Sequence, residues 1–179
     1  MEILIPADAL VVLVGVSGSG KSTFAARHFR ETEVLSSDRF RAMVADDEAD
    51  QRASGAAFAV LHLVVAKRLA RRRLAVVDAT NLNHRARRAL IGLAARFRRP
   101  CVAIVFAVPL DVAQARNRER TGRVVAPHVL VEQQRHLDLA VAAMRAEPYG
   151  AVYILRRPSD FDEAVVRRVS ARAGETARA

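Results

Sequence analysis

One glycine-rich segment constrains the fold of this 179-residue chain more than any other part of it. Residues 15–22 read GVSGSGKS and fit the pattern G-x-x-x-x-G-K-[ST] at every fixed position. A β-branched run at 10–14 precedes the segment, and residues with helical spacing at 21–29 follow it. A loop between a strand and a helix can turn its backbone N–H groups inward around phosphates. The segment therefore predicts nucleoside triphosphate binding in an α/β fold.

The residue types within this loop predict separate contacts. We expect Lys21 to reach the β- and γ-phosphates of ATP, and the Ser22 hydroxyl to bind Mg²⁺. Only two of the 29 Lys and Arg residues are lysines, so a lysine retained at this position is informative. Together, the predicted ATP contacts of the loop are Gly15, Ser17, Gly18, Ser19, Gly20, Lys21, Ser22 and Thr23.

Strands and helices alternate along the remainder of the chain. Apolar runs predict four more strands, over residues 34–36, 74–78, 101–108 and 151–155. Helical spacing predicts helices over 53–73, 83–99, 127–145 and 160–172, the last with Ser159 as its N-cap. Five apolar strands separated by helices pair in parallel through right-handed crossovers. The sequence therefore predicts a three-layer α/β sandwich with a five-stranded parallel sheet, whose ligands bind beyond the carboxyl ends of the strands.

A carboxylate and a guanidinium lie just beyond the second predicted strand. Asp38 and Arg41 are three residues apart at a helix start, so they share one helical face. A kinase needs a carboxylate that takes the proton of the attacking hydroxyl and a cation that holds an anionic neighbour. Asp38 is therefore a candidate general base, and its structural alternative is an N-cap of the helix.

A second carboxylate, Asp78, ends the third strand within the segment VVDATN. An acid at the end of a buried strand beside a phosphate loop often holds Mg²⁺ through water, which makes Asp78 a candidate metal-binding residue together with Ser22. The structural alternative is an Asx-turn that starts the next helix. Asp78 is also the rival of Asp38 for the position of general base.

Arginines cluster after the fourth strand in the segment RNRERTGR. Arg116, Arg120 and Arg123 follow one another at intervals of four and three residues, so one helical face could present all three. Arginines that close over a transferred phosphoryl group stabilise its negative charge. We therefore predict an arginine-bearing helical lid over residues 111–128, with a solvated basic face as the alternative.

Length and charge restrict the classes of function. The length suits one domain, which we place over residues 1–179 with a frayed tail at 174–179. The net charge of +10 favours polyanionic partners, although the scarcity of lysine also fits a compositional bias toward arginine. A lone cysteine, the lack of a basic leader, and no apolar run near the roughly 20 residues of a membrane span predict a cytoplasmic protein without disulfides.

Taken together, these segments resemble the 5′-kinase domain of the bacterial polynucleotide kinase–phosphatase RNA-repair enzymes. The resemblance runs over about residues 10–168 and rests on GVSGSGKSTF, EVLSSDRFR, DDEADQRASGAAFAVLH, VVDATN, RNRERTGR and VYIL. It implies ATP-dependent transfer of the γ-phosphate to the 5′-hydroxyl end of RNA or DNA. In those enzymes a phosphatase domain and a ligase-like domain follow this one. We expect an excised domain, or else a stand-alone kinase.

The resemblance also implies the parts that single residues take. Asp38 would be the general base on the 5′-hydroxyl, and Arg41 would contact the acceptor end or the transferring phosphate. The arginines implied to clamp the ATP phosphates are Arg116, Arg120 and Arg123. The implied acceptor contacts are Asp38, Arg41, Gln51, Thr80 and Asn81.

Two other classes of function fit the same loop. A small-molecule kinase for a nucleoside, sugar or antibiotic would share the phosphate loop, the acid after the second strand and the arginine lid. A closed acceptor pocket, rather than an open basic groove that leads to Asp38, would indicate it. A nucleotide-switched binding module would bind ATP without an aligned base. The joint presence of Lys21, Ser22, Asp38 and Arg116 argues against such a module.

Overall fold

The computed structural model describes residues 1–120 and 124–170. Its strands are β1 (Glu2–Pro6), β2 (Leu10–Gly15), β3 (Val34–Ser36), β4 (Ala75–Asp78), β5 (Cys101–Phe106), β6 (Ala151–Leu155) and β7 (Val165–Val169). Its α-helices are α1 (Lys21–His28), α2 (Ser37–Ala45), α3 (Ser54–Ala70), α4 (His84–Arg96), α5 (Leu110–Arg118), α6 (Pro127–Met144) and α7 (Pro158–Asp162). Short 3₁₀ helices, Glu31–Glu33 and Gln51–Ala53, precede β3 and α3.

β2 is the central strand of a five-stranded parallel sheet with the order β3-β4-β2-β5-β6. Leu10 aligns with Ala75 of β4 and Cys101 of β5, so the three strands start at one level and end at one edge. The core on one face includes Phe24 of α1, whereas the core on the other includes Leu61 of α3. The predicted α/β fold with a five-stranded parallel sheet between helices is confirmed.

The apolar runs of β2 and β5 follow from burial on both faces. Every residue of these two strands is buried, as expected where helices cover a parallel sheet on each side. From α3, the side chains at four-residue spacing, Leu61, Val65 and Leu69, are completely buried. This packing fixes the edge at which the strands end, and polar residues follow there.

A small second sheet joins the two ends of the described chain. β1 pairs in parallel with β7, from Glu2 opposite Val165 to Pro6 opposite Val169. The predicted helix over 160–172 is therefore wrong, because α7 ends at Asp162 and β7 follows it. The β-branched residues of β7 find a partner strand in β1, and this pairing overrides local helical spacing.

The predicted N-cap of the last helix is also wrong. The N-cap residue of α7 is Arg157, and Pro158 takes the first helical position, which suits its missing N–H group. Asp160 accepts backbone N–H bonds from Arg156 and Arg157 at 2.8 and 2.9 Å. Ser159 therefore lies inside the helix rather than before it.

The helical stretch that contains α3 corrects the expectation that no apolar run approaches the length of a membrane span. Residues Gln51–Ala70 form a 20-residue helical stretch with a mean hydropathy of 1.4, which is long and apolar enough to cross a membrane by length and composition alone. A core helix passes the same test. The side chains of Leu61, Val65 and Leu69 pack into the core, as described above.

Candidate active site

Polar residues at the carboxyl ends of β3 and β4 and in the loop after β2 line a cleft of about 660 Å³. The start of α2, the start of α3, the α5 region and α7 complete its walls. The predicted site residues on these walls are Ser17, Gly18, Gly20, Lys21, Ser22, Thr23, Asp38, Arg41, Gln51, Asp78, Thr80, Arg116 and Arg120. The fold therefore brings most of the predicted set into one place, as expected for parallel strands that end at one edge.

The phosphate loop depends on two glycines with left-handed backbone. Gly18 has φ of +78° and Gly20 has φ of +96°, values that residues with a Cβ rarely adopt. A Cβ on Gly18 would also lie 2.3 Å from the carbonyl oxygen of Ala113 in α5. The loop thus folds tightly against α5, and no side chain larger than hydrogen fits at Gly18.

Two other predicted loop residues lie behind the cleft rather than on its wall. Gly15 ends β2, and a Cβ there would lie 2.8 Å from the Ser19 hydroxyl. Ser19 is completely buried, and its hydroxyl accepts a hydrogen bond from Lys21 Nζ at 3.3 Å. Both residues therefore shape the loop from inside.

Lys21 is buried at the base of the cleft and folds back on its own loop. Its Nζ donates to the carbonyl oxygens of Gly15 and Val16 at 2.9 and 2.7 Å. Burial lowers the pKa of Lys21 from 10.5 to about 8, and the charge of Asp78 opposes part of that decrease. An ammonium that has already left water is well suited to an incoming polyanionic phosphate.

Asp78 lies at the end of β4, directly beside the loop. It aligns with Leu13 of β2 and Ser36 of β3, and its residue is only 6% exposed. Burial raises the pKa of the Asp78 carboxyl, while the charge of Lys21 and a hydrogen bond with Ser22 oppose that rise. The Asx-turn alternative is wrong, because α4 begins six residues later with Asn83 as its cap.

Asp38 occupies the opposite wall of the cleft, in the first turn of α2. The helix is capped by Ser36, whose hydroxyl accepts from the Arg39 N–H at 3.4 Å, so the N-cap alternative for Asp38 is wrong. Asp38 forms an ion pair with Arg41, and the Ser37 hydroxyl lies 3.4 Å from its Oδ1. Its side chain stays 30% exposed, so an acceptor can reach the carboxylate.

Arg41 connects this carboxylate to the turn that follows α2. Its residue is 3% exposed, and its Nε donates to the Glu48 carbonyl oxygen at 2.8 Å while its Nη2 binds Asp38. Gln51 follows this turn and also lines the cleft, with its Nε2 donating to the Ala49 carbonyl oxygen at 3.2 Å. One guanidinium thus orients both the candidate base and the turn beside it.

The lid arginines do not share one helical face as predicted. α5 ends at Arg118 with Glu119 as its C-cap, so Arg120 lies beyond the helix that carries Arg116. Arg120 nevertheless reaches the cleft, with its Nη2 4.0 Å from Asp38 Oδ2. Arg116 lies over the ring of Phe161, 5.7 Å from the centroid. Arg123, the third predicted lid arginine, lies outside the described residues.

Asn81 does not line the cleft, contrary to its predicted contact with the acceptor. It is 4% exposed, and its Nδ2 donates to the Leu13 carbonyl oxygen at 2.7 Å. The left-handed backbone at Asn81, with φ of +49°, turns its amide toward β2. Thr80 does line the cleft, and its carbonyl oxygen accepts from the Gly15 N–H at 3.0 Å.

The structure adds residues that were not among the predicted site residues. Gln133 of α6 lines the cleft, and its Oε1 accepts from the Ser17 N–H at 2.8 Å. Phe58, Pro158 and Phe161 supply apolar parts of the walls. These residues are far from the loop in sequence, and helical or strand spacing carries no sign of them. Ser17 and Gln133, for example, are 116 positions apart.

A phosphate loop that faces a carboxylate–arginine pair across one cleft is the arrangement of a P-loop kinase, and the fold and cleft define that class of phosphotransferase. Within the class, residues 10–147 match the family model of the AAA domain, and the chain belongs to this family. No curated protein sequence matches the chain.

Several solved structures are similar to this one. A chain of the Pnkp1/Rnl/Hen1 RNA repair complex is 23% identical with a TM-score of 0.66, over 77% of this chain and 46% of that chain. A gluconokinase from Sinorhizobium meliloti 1021 is 20% identical with a TM-score of 0.55, over 89% and 88%. The Mycobacterium tuberculosis APS kinase CysC, in complex with AMPPNP and APS, is 19% identical with a TM-score of 0.51, over 96% and 95%. These likenesses establish the fold. This chain spans less than half the length of the repair-complex chain.

Proposed function

We propose that this protein is an ATP-dependent kinase that phosphorylates the 5′-hydroxyl end of a nucleic acid. The observation that carries the proposal is the place of Asp38, partly exposed on the wall opposite the phosphate loop and oriented by Arg41. A general base must reach the acceptor hydroxyl on one side and face the transferring phosphate on the other. A partly exposed carboxylate in the same cleft as the phosphate loop would be able to meet both requirements.

The donor half of the cleft is suited to ATP and Mg²⁺. Backbone N–H groups of the loop and of the N-terminus of α1 would bind phosphate oxygens, and Lys21 would neutralise part of their charge. Ser22 and Asp78 form a hydroxyl–carboxylate pair. Mg²⁺ needs only a few protein oxygen ligands of this kind when phosphate oxygens complete its coordination. When bound, the ion would offset charge on the phosphates. Among residues 1–120 and 124–170, no cluster of three or more His, Cys, Asp or Glu suits a metal held by protein alone.

The acceptor half supplies the proton acceptor and the positive charge. Asp38 takes the proton of the acceptor hydroxyl. The hydroxyl oxygen then bonds to the γ-phosphorus as the bond from that phosphorus to the leaving ADP oxygen breaks. Arg41 keeps the carboxylate aimed at the cleft. Arg116 and Arg120 line the same cleft, where their guanidinium groups would offset the negative charge that develops during transfer.

A nucleic-acid acceptor is supported by sequence resemblance and charge. The stretch of residues 46–62 and the spacing of the lid arginines resemble the RNA-repair kinases, and a +10 chain attracts polyanions. Other domains of a longer repair enzyme, a phosphatase and a ligase-like domain, belong to the same proposal. So does the assignment of residues 1–179 to one kinase domain.

A small-molecule acceptor is the second candidate, and one observation favours it. The turn between α2 and the 3₁₀ helix before α3 contains the acids Asp46, Asp47, Glu48 and Asp50, and Arg41 bonds to its backbone. Negative charge beside the acceptor entrance repels a polyanionic strand. A neutral or cationic acceptor would not meet this opposition.

The test is transfer of label from γ-labelled ATP with Mg²⁺ to a short oligonucleotide that bears a 5′-hydroxyl. We expect the wild-type protein to label the 5′ end, and Asp38→Ala to lose the label while it still binds ATP. Asp47→Asn, an exposed acid of the neighbouring turn, is the matched control and should retain transfer. ATP hydrolysis without label in any RNA or DNA end would overturn the proposal in favour of the small-molecule kinase. ATP binding without turnover would indicate a binding module.

A further inference from the structure

A buried ion pair lies behind the loop that joins β4 to α4. Arg87 of α4 is 1% exposed, and its Nη2 and Nε donate to the Glu147 carboxylate at 2.6 and 3.0 Å. Glu147, which follows α6, has a side chain only 8% exposed. A buried pair gains little stability over apolar residues of similar size, because both charges lose their hydration. The pair is therefore better explained by what its remaining hydrogen bonds hold in place.

Those bonds go to the loop between β4 and α4. Arg87 Nη1 donates to the carbonyl oxygens of Asn81 and Leu82 at 3.2 and 2.7 Å. The guanidinium thus bridges this loop and the carboxylate of Glu147 with a fixed planar geometry. Lysine, with a single ammonium, cannot reproduce such a fork.

The same loop is bonded to the phosphate loop. The Gly15 N–H donates to the Thr80 carbonyl oxygen at 3.0 Å, and Asn81 Nδ2 donates to the Leu13 carbonyl oxygen at 2.7 Å. Asn81 holds a left-handed backbone conformation, which needs support from its surroundings. A continuous set of hydrogen bonds therefore leads from Glu147 through Arg87 to the end of β2.

We propose that Arg87 and Glu147 form a positioning pair for phosphoryl transfer. Arg87 holds the backbone of Asn81 and Leu82, so that Asp78 and Thr80 keep their places beside the phosphate loop. Neither Arg87 nor Glu147 lines the cleft, so both act through the loop rather than on substrate. The inference rests on the proposed function only in requiring nucleotide and Mg²⁺ in the cleft, whatever the acceptor.

The test compares two buried pairs that differ in location. Arg99 and Asp8 form an ion pair whose side chains are 15% and 6% exposed, at the edge where β2 and β5 begin and away from the cleft. We expect Arg87→Lys to lower the rate of phosphoryl transfer by about 10- to 100-fold, because a misplacement near 1 Å has such effects. Arg99→Lys should lower the Tm about as much as Arg87→Lys does, but it should leave the rate within about twofold of wild type.

Nucleotide binding gives a readout that needs no acceptor. Wild-type protein should bind a fluorescent ATP analogue more tightly with Mg²⁺ than without, and Arg87→Lys should lose most of that difference while binding without Mg²⁺ is unchanged. Glu147→Gln keeps one acceptor oxygen for Arg87 and should show a smaller change in the same direction, which also covers the case that Arg87→Lys does not fold. If Arg87→Lys and Arg99→Lys reduce rate and Mg²⁺-dependent binding equally, the positioning pair is rejected. Failure of the proposed acceptor alone would leave this binding difference in place.

Discussion

The donor and acceptor halves of the cleft differ in the groups that form them and in the exposure of those groups. On the donor side, phosphates would meet backbone N–H groups and the buried ammonium of Lys21, and their Mg²⁺ would meet the buried carboxylate of Asp78. On the acceptor side, Asp38 extends from the first turn of α2 and stays partly exposed, and Gln51 begins the 3₁₀ helix before α3 and is exposed. Rigid buried groups suit a ligand that never changes, and exposed groups let acceptor choice vary on one scaffold.

The largest expected effect is on the donor half. Lys21→Met should lower phosphoryl transfer by about 10³-fold or more and weaken ATP binding, because a preorganised charge at the transferring phosphate is lost. Lys67→Met removes the other lysine of the chain, which is exposed on α3, and should leave both quantities unchanged. Rates from labelled ATP and affinities from calorimetry measure the two effects. If Lys21→Met binds ATP as wild type does, the donor half does not depend on its buried charge.

The sequence indicates the local parts of the site better than its long-range contacts, and the donor half contains both. A phosphate loop needs Gly18, Gly20 and Lys21 at fixed spacing, so local sequence reports them. Gln133 reaches the loop from 116 positions away, and nothing in its own segment predicts that contact. Asn81 lies within a recognisable segment, but its left-handed backbone turns the side chain away from the cleft.

The fold shows the same division between local and long-range information. The five strands of the main sheet are continuous apolar runs, and all were predicted. The strand pair β1 and β7 was not, because each strand is stable only against the other across most of the chain. Helical spacing over 160–172 was misleading, since Val165 and its neighbours pair with β1 instead.

A second substitution separates the halves by affecting only the acceptor side. Arg41→Lys should lower kcat/KM for the acceptor by about 10²-fold, since lysine lacks the two separate nitrogens with which Arg41 binds Asp38 and the Glu48 carbonyl oxygen. ATP affinity should stay within about twofold of wild type, because Arg41 does not contact the phosphate loop. Arg39→Lys, exposed and paired with Glu31, is the matched control. Equal loss of ATP affinity in Arg41→Lys would show that the two halves are not independent.

The pH dependence of the donor half follows from the buried ammonium of Lys21. Between its pKa of about 8 in the folded protein and 10.5 in the unfolded chain, the unfolded state holds a proton that the folded state has released. The free energy of unfolding should therefore rise with pH across this interval, and Lys21→Met should lack that rise. ATP favours the charged ammonium, so its affinity should fall about tenfold between pH 7.5 and 9.5. Denaturation in urea and calorimetry check these trends. If the free energy of unfolding has the same slope against pH in wild type and Lys21→Met, the group that titrates is not Lys21.

The smallest expected effect concerns a hydrogen bond between the loop and α6, which the Ser17 N–H donates to Gln133. Because backbone geometry already fixes most of the loop, Gln133→Ala should weaken ATP binding only about two- to fivefold, near the value of a single hydrogen bond. Gln134→Ala, whose side chain bonds to Asp138 on the same helix, should change nothing at the loop. Affinity measured by calorimetry for both variants decides the matter. A loss above about 100-fold in Gln133→Ala would mean that α6, and not the glycine-rich backbone, holds the loop in its binding conformation. The donor half would then depend on a side chain as the acceptor half does, and the contrast between the two halves would not hold.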